Sequence, residues 1–208
     1  MSKTKTSGLI AAFVLVLTVS VLPAQTAPAT WNADDTTRIV NLVQRRLSSL
    51  TNLGVFDDIT FGIQGKRIVL HGFASRPILR SDAENALRNI DGVEGIDNQI
   101  EVLPVSNMDD RIRAAVYNAI YSFPSLRRYG GRTGPRNAPP SVARMAGGIT
   151  NDPPRGFHAI SIIVRNGHVI LRGAVLSQAD ANTAEIRANT VPGVFSVTNE
   201  LRIENSRS

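Results

Sequence analysis

The sequence predicts an α+β fold of two tandem αββαβ modules, each a three-stranded mixed sheet packed against two helices. The first reason is an internal repeat, because residues 59–102 match residues 160–203 at a constant offset of 101 without a gap. The second is that both copies show helical and alternating apolar periodicities in the same order. A length of 208 residues with 42% hydrophobic content allows two small folded domains, here residues 30–104 and 105–208.

The N-terminal residues 1–29 are predicted to be an export signal. Two lysines precede the apolar run Leu9–Leu22, and small residues follow it. This run of about 14 residues is shorter than the roughly 20 that a membrane span needs, so we expect cleavage, after Ala24 or Ala29. The chain has no cysteine, so its mature N-terminus cannot be acylated. The prediction is a periplasmic protein that is not a lipoprotein.

A helix is predicted to open each module. Asp34 or Asp35 is the expected N-cap in the first module and Asp109 or Asp110 in the second, because carboxylates accept hydrogen bonds from first-turn N–H groups. Apolar residues then recur at helical spacing, which predicts a buried helix face. They are Ile39, Leu42, Val43, Leu47 and Leu50 in the first module, and Ile112, Val116, Ala119, Ile120 and Phe123 in the second.

A β-hairpin is predicted to follow each first helix. In the first module, the strands Ile59–Ile63 and Ile68–Leu70 are joined by a turn around Gly65. The matching strands of the second module flank Asn166 and Gly167, two residue types that tolerate the positive φ of a tight turn. Both hairpins are expected to be antiparallel.

The second helix and the final strand complete each module. The helices are predicted over Pro77–Ile90 and Gln178–Val191, with Ser177 and Asp180 in a capping-box arrangement before the latter. A right-handed crossover should place each final strand parallel to the second strand. Turn positions without a side chain are assigned a structural role at Gly72, Gly92, Gly173 and Gly193.

One amide in each final strand, Asn98 or Asn199, alternates with apolar residues and should point inward. A buried amide needs hydrogen-bond partners. We expect each side chain to bond a neighbouring loop.

The ordered set of repeated segments resembles the BON domain family, named for bacterial OsmY and nodulation proteins. The resemblance depends on the strands Ile68–Gly72 and Val169–Gly173, on the Ala-Glu pairs of the second helices, and on the closing Gly-Val…Asn segments. It implies an exported, non-enzymatic envelope protein that binds anionic phospholipid or the cell surface. It also implies a role in envelope integrity or osmotic-stress tolerance.

The second module carries an insertion that the first lacks. The first helices match at an offset of 73 and the strands at 101, so 28 additional residues lie between helix and hairpin. They fall within residues 124–156, where six arginines accompany one acid, Asp152, among many glycines and prolines. This composition predicts irregular structure. Loops of such length are usually functional or disordered.

The start of the insertion is the candidate lipid- or anion-binding site, because aromatic residues stand beside a basic cluster. The alternative is a solvated linker, with Tyr121 and Phe123 in the core. The expected partner is an anionic phospholipid surface or, alternatively, an envelope protein recognised by a periplasmic adaptor. Nucleic acid is not expected, and homo-oligomerisation is left open. The candidate residues are Tyr121, Phe123, Arg127, Arg128, Tyr129, Arg132 and Arg136.

Catalysis is not supported by the sequence. The three histidines, His71, His158 and His168, do not recur at equivalent positions of the repeat. Neither a His-Glu metal-ligand spacing on a helix nor a nucleophile elbow is present. We therefore expect no enzyme activity, no cofactor and no metal. The net charge of +6 falls to +4 once the two lysines of the signal are removed.

Overall fold

The computed structural model describes residues 30–130, 150, 153 and 158–204. The predicted export signal, with both candidate cleavage positions, lies outside the described residues. So do Arg132 and Arg136 of the candidate site and most of the insertion.

The first module has the predicted mixed sheet under two helices. Strand β1 pairs antiparallel with β2, and β3 and β4 both pair parallel with β2. The final strand is therefore divided into two short strands along one edge. The elements are α1 (Ala33–Ser48), β1 (Asp58–Gln64), β2 (Arg67–Ala74), α2 (Pro77–Leu87), β3 (Gly95–Asn98) and β4 (Glu101–Val102).

The second module repeats this arrangement with an unbroken final strand. Strand β5 pairs antiparallel with β6, and β7 pairs parallel with β6 over eight residues. The predicted fold class and strand directions are thus confirmed in both modules. A 3₁₀ turn over Arg127–Tyr129 begins the insertion, where no regular structure was expected. The other elements are α3 (Asn107–Tyr121), β5 (Ile160–Arg165), β6 (His168–Val175), α4 (Gln178–Asn189) and β7 (Ser196–Ile203).

The N-caps of the opening helices are neutral polar residues. Asn32 Oδ1 accepts from the Asp35 N–H at 2.7 Å, and Ser106 Oγ accepts from the Asp109 N–H at 3.2 Å. The prediction that an aspartate caps each of these helices was wrong. The aspartates lie in the first turn instead, where a negative charge interacts favourably with the helix dipole.

Asp109 ties the start of α3 to the β5–β6 turn. Its buried carboxylate accepts from the backbone N–H groups of Asn166 at 2.9 Å and Gly167 at 2.8 Å. Both turn residues have positive φ, 51° and 78°, as the sequence predicted for a tight hairpin. The turn is therefore held by its own backbone geometry and by a helix of the same module.

The core of the second module contains two residues of the first. Val55 and Phe56, from the loop between α1 and β1, are both 1% exposed and pack among residues of the second module. The Val55 carbonyl accepts from the Ile162 N–H at 2.8 Å, which extends the hydrogen bonding of β5. The Phe56 ring meets Tyr117 edge-on, with centroids 6.3 Å apart. Two residues of the first module therefore belong to the hydrophobic core of the second, while the first module keeps a separate core of its own.

The buried carboxylate of Asp57 holds the α1–β1 loop, which carries Val55 and Phe56. Its oxygens accept from the Gly54 N–H at 2.9 Å and from the Ser75 N–H at 2.6 Å. Burial raises the pKa of Asp57, although the hydrogen bonds from Ser75 and Gly54 act in the opposite direction. These two bonds fold the loop back on its own module and direct Val55 and Phe56 outward.

The sheet faces that carry no helix also meet at the module boundary. Val69 and Ile163 lie on these faces and are buried, although neither belongs to the helix-side core. Arg172 of β6 crosses the boundary and pairs with Asp58 at 3.1 Å, with its guanidinium 5.1 Å from the centroid of the Phe73 ring. Apolar contact and a partly buried ion pair thus join the two sheets.

Two equivalent glycines let β2 and β6 pass close to the preceding strand. Gly72 and Gly173 have φ of 114° and 125°, and a Cβ would lie 2.0 Å from the Asp58 carbonyl oxygen and 1.9 Å from that of Ala159. No side chain fits at such distances without a backbone shift. These positions are set by the fold and not by a ligand.

We expect Gly173→Ala to destabilise the protein by about 2 to 4 kcal/mol, because it combines an unfavourable φ with a clash against backbone. Chemical denaturation followed by circular dichroism measures the loss. Gly62→Ala is the matched control, since apart from its two chain neighbours no described residue has an atom within 4 Å of the added Cβ, and φ is not positive there. Equal stability of the two variants would contradict this account.

We expect Phe56→Ala to lower the free energy of unfolding by about 3 to 5 kcal/mol, the cost of a large core cavity. Since Phe56 belongs to the first module and packs in the second, unfolding of both modules should shift together in a single transition. Phe195→Ala removes an exposed ring and should change stability by no more than about 0.5 kcal/mol. Two separate transitions, with only one moved, would show that Phe56 does not couple the unfolding of the two modules.

Candidate functional site

The segment that follows α3 contains the described part of the candidate site. Tyr121, at the end of α3, is buried, and its hydroxyl donates to the Ile160 carbonyl at 2.5 Å. Its ring lies 5.2 Å from that of His158 and 4.9 Å from that of Tyr117. Burial raises the pKa of the Tyr121 hydroxyl far above its ordinary value. Tyr121 is therefore a core residue that fixes the end of α3 to β5.

Tyr129 is also buried, and it connects the 3₁₀ turn to α4. Its hydroxyl donates to Asp180 Oδ2 at 2.8 Å and accepts from the Leu176 N–H at 2.8 Å. Because protein groups fill both hydrogen-bonding roles of this hydroxyl, it can be buried without a water partner. Tyr129 thus anchors the first residues of the insertion beneath the surface.

Asp180 is the centre of a buried hydrogen-bond network. Besides Tyr129, its carboxylate accepts from Arg128 at 2.6 Å and from Ser177 Oγ at 2.7 Å. Ser177 Oγ in turn accepts from the Asp180 N–H at 3.2 Å, so Ser177 is the N-cap; the Asp180 carboxylate bonds the Ser177 hydroxyl instead of the backbone N–H that a capping box uses. Burial acts to raise the pKa of Asp180, but the hydrogen bonds from Ser177, Tyr129 and Arg128 outweigh it and lower the pKa. The carboxylate therefore stays ionised at neutral pH.

The remaining described candidates are more accessible. Arg127 is exposed and donates to the Ser122 carbonyl at 3.2 Å. Phe123 is partly buried, with the Arg187 guanidinium 5.0 Å from its ring centroid. Arg128 keeps about half of its side chain in solvent while it pairs with Asp180. The structure thus brings the described candidates together on one end of the second module, with Tyr121 and Tyr129 beneath the surface and Arg127 and Arg128 outside.

The two inward-pointing asparagines bind helices, so the prediction that they bond a neighbouring loop was wrong. Asn199 Nδ2 donates to the Ala181 carbonyl and to Glu185 Oε2 of α4, both at 3.0 Å, and Asn98 makes the equivalent bonds to α2. Asn199 Oδ1 accepts from the Leu201 N–H at 3.2 Å. The amide therefore joins strand to helix and occupies an N–H at the sheet edge, which makes that edge less available to a partner strand.

A cleft of about 670 Å³ lies between the two helix-free sheet faces. Charged side chains of both modules line it, among them Asp58, His71, Arg172, Glu200 and Arg202. Arg172 is held by Glu200 at 2.7 Å in addition to Asp58. Since the guanidinium is neutralised by these two carboxylates, its role in the cleft is to join the modules.

The sequence profile of the BON domain family matches residues 35–104 and 148–205, more than half of the chain. The chain belongs to the BON domain family. The match confirms the resemblance inferred from the repeated motifs. The second matched segment begins after α3, so this helix of the second BON domain was recognised from its apolar spacing and not from the profile.

BON domains are non-enzymatic modules, and membership suggests an envelope-associated role of the phospholipid-binding type. No curated protein matches this BON sequence. Among the residues that the structure describes, no three His, Asp or Glu side chains are grouped as metal ligands. Within the same residues, no helix combines the length and apolar character needed to cross a bilayer.

Seven chains of solved structures match this BON protein. One is CdsD, a structural protein of the type III secretion system of Chlamydia trachomatis, at 10% identity and a TM-score of 0.24, covering 79% of this chain and 91% of that one. Another is the C-terminal domain of CdsD, at 12% identity and a TM-score of 0.24, covering 83% of this chain and 98% of that one.

We expect Asp180→Asn to cost about 1 to 3 kcal/mol at neutral pH, because three donors lose a charged acceptor. The lowered pKa means that the folded state holds the proton more weakly than the unfolded state, so this stabilisation is present above about pH 4 and is lost as the pH falls through the folded pKa. The wild type and the variant should therefore converge in strongly acidic solution.

Urea denaturation at a series of pH values between neutral and strongly acidic measures this difference. Asp91→Asn, at an exposed position, should follow the wild type within about 0.5 kcal/mol throughout. A difference between wild type and Asp180→Asn that stays constant with pH would contradict the role assigned to the Asp180 charge.

Proposed function

We propose that this BON protein is exported to the periplasm and binds the surface of anionic phospholipid membranes, in support of envelope integrity or osmotic-stress tolerance. The observation that carries the proposal is the exposed pair Arg127 and Arg128 beside an exposed leucine, Leu176, at one end of the second module. The insertion, rich in arginine, continues from this end. Family membership supports the phospholipid-binding part of the proposal.

The proximity of cationic and apolar groups follows from the Tyr129 hydroxyl. It accepts from the Leu176 backbone and donates to Asp180, and Asp180 binds Arg128. Leu176 is 56% exposed, and its backbone N–H is bound to the Tyr129 hydroxyl, next in sequence to Arg128. A basic residue near an anionic membrane contributes about 1 kcal/mol, and an adjacent apolar side chain adds burial in the interface.

In this proposal the tyrosines act from beneath the surface. Tyr121 and Tyr129 are buried and hydrogen-bonded, so they hold the segment in place, and Leu176 takes the inserting role expected of the aromatic residues. Part of the Arg128 charge is offset by Asp180, which leaves Arg127 as the stronger described contributor. Arg132 and Arg136 of the insertion are proposed to add to the same cationic surface.

The charge distribution supports an electrostatic mode of attachment. Residues 124–156 contain six arginines and one aspartate, a local charge of +5, whereas the chain without its predicted signal carries +4 in total. The rest of that chain is therefore close to neutral. Binding through this region should weaken strongly as salt rises, since exposed charges are screened over about 8 Å at physiological ionic strength.

We expect Arg127→Glu to weaken binding to anionic vesicles by about 2 kcal/mol, or roughly 30-fold, because it reverses one charge at the surface. Leu176→Ser should also weaken binding. Flotation with phosphatidylglycerol-containing and pure phosphatidylcholine vesicles at several salt concentrations measures both effects. Arg45→Glu is the matched control, since Arg45 is exposed on α1 and also donates to a backbone carbonyl near in sequence, at 3.3 Å.

Equal binding to charged and neutral vesicles, or an equal loss with Arg45→Glu, would contradict the proposal. Retention of an envelope protein at high salt, without vesicle binding, would favour the alternative of a periplasmic adaptor.

A further inference from the structure

At one end of each module the hairpin turn lies beside the glycine that follows the second helix; this end is called the turn end. These glycines, Gly92 and Gly193, are 101 residues apart and share a φ of 88° and 90°. A Cβ on either one would lie 3.7 Å from an isoleucine of the opening helix, Ile39 in the first module and Ile112 in the second. The two turn ends therefore have the same backbone conformation at the glycine and the same isoleucine beneath it.

The turn end of the first module is closed by an indole. Trp31, just before α1, donates from Nε1 to the Gly92 carbonyl at 2.7 Å. Its Nε1 is also 3.6 Å from the place of a Cβ on Gly92. Lys66 of the hairpin turn and Glu94 form an ion pair at 3.4 Å beside it. This end is thus covered by a tryptophan and bordered by polar groups.

The turn end of the second module lacks the tryptophan. Met108 Cε stands 3.6 Å from the place of a Cβ on Gly193, where the indole nitrogen stands in the first module. Phe195 replaces Glu94 and lies against Gly167 of the hairpin turn. Met108 and Phe195 are 54% and 74% exposed. Within the described part of the chain, no side chain donates to the Gly193 carbonyl as Trp31 does to that of Gly92.

We infer that the turn end of the second module binds a tryptophan side chain of a partner polypeptide. The indole lies over Gly193 between Ile112 and Phe195, and its N–H donates to the Gly193 carbonyl. Met108 moves aside, because an unbranched thioether adapts readily to a neighbouring aromatic ring. Phe195 supplies an exposed ring against which the indole packs.

The repeat favours a tryptophan of a polypeptide as the occupant, because the equivalent position of the first module is occupied by Trp31, which donates to the Gly92 carbonyl at 2.7 Å. The basic surface around Arg127 lies at the other end of β6, so a tryptophan partner and a membrane would use opposite ends of the second module.

Titration of the isotopically labelled protein with N-acetyl-tryptophanamide, followed by NMR, tests this inference. We expect chemical-shift changes at Gly193, Val194, Phe195 and the Met108 methyl group, and none at Gly92. N-acetyl-phenylalaninamide has no indole N–H and should bind about 2- to 10-fold more weakly, the factor that one neutral hydrogen bond supplies. The absence of changes at Gly193, or equal binding of the two amides, would overturn the inference.

Two variants distinguish the site from general apolar contact. Phe195→Glu places in the second module the residue that the first has at this position, and it should abolish the response without loss of the native spectrum. Trp31→Ala uncovers the first turn end, but Glu94 stands there in place of Phe195, so Gly92 should still not respond to the free amide. An unchanged titration of Phe195→Glu would overturn the inference. So would broadening of Met108 and Phe195 by anionic vesicles in a protein that does not respond to the tryptophan amide.

Discussion

The burial of Val55 and Phe56 in the core of the neighbouring module is the contact on which the architecture depends. Domains of about 60 residues bury only about 60% of the surface of their unfolded chains, so each module has little apolar burial of its own. The α1–β1 loop of the first module completes the core of the second module. It also fixes the position of the first module against the second. Pairing of the Val55 carbonyl with β5 adds a directional bond to the non-directional apolar contact.

Buried aspartates hold the segments that apolar packing alone would leave loose. Asp57 accepts from one N–H of the α1–β1 loop and one that follows β2, and Asp109 accepts from two of the β5–β6 turn. Asp180 accepts from side chains of the 3₁₀ turn and from Ser177. A buried charge is tolerated only when it is hydrogen-bonded. Each carboxylate therefore fixes one conformation of its loop, and the Asp180 network holds the proposed membrane-facing end in place.

The repeat makes each module a reference for the other. Positions that serve the fold are the same in both, as with Gly72 and Gly173 or Asn98 and Asn199, since the same backbone has the same needs. The copies differ at the insertion and at the turn ends, where Phe195 stands in place of Glu94. Such differences are not required by the shared fold. They mark the places where the second module has acquired surface properties of its own.

The sequence by itself determined the α+β class, the two modules, the strand directions and the glycine turns, because these follow from local periodicity and from φ angles that only some residues adopt. The tertiary structure alone decided where Phe56 is buried, that Tyr121 and Tyr129 lie beneath the surface, and that Asn199 bonds a helix. Those outcomes depend on which segment, distant in sequence, covers a side chain or offers it a partner. The spacing of apolar residues predicts that a helix or strand face is buried, but it does not predict which segment of the chain covers that face.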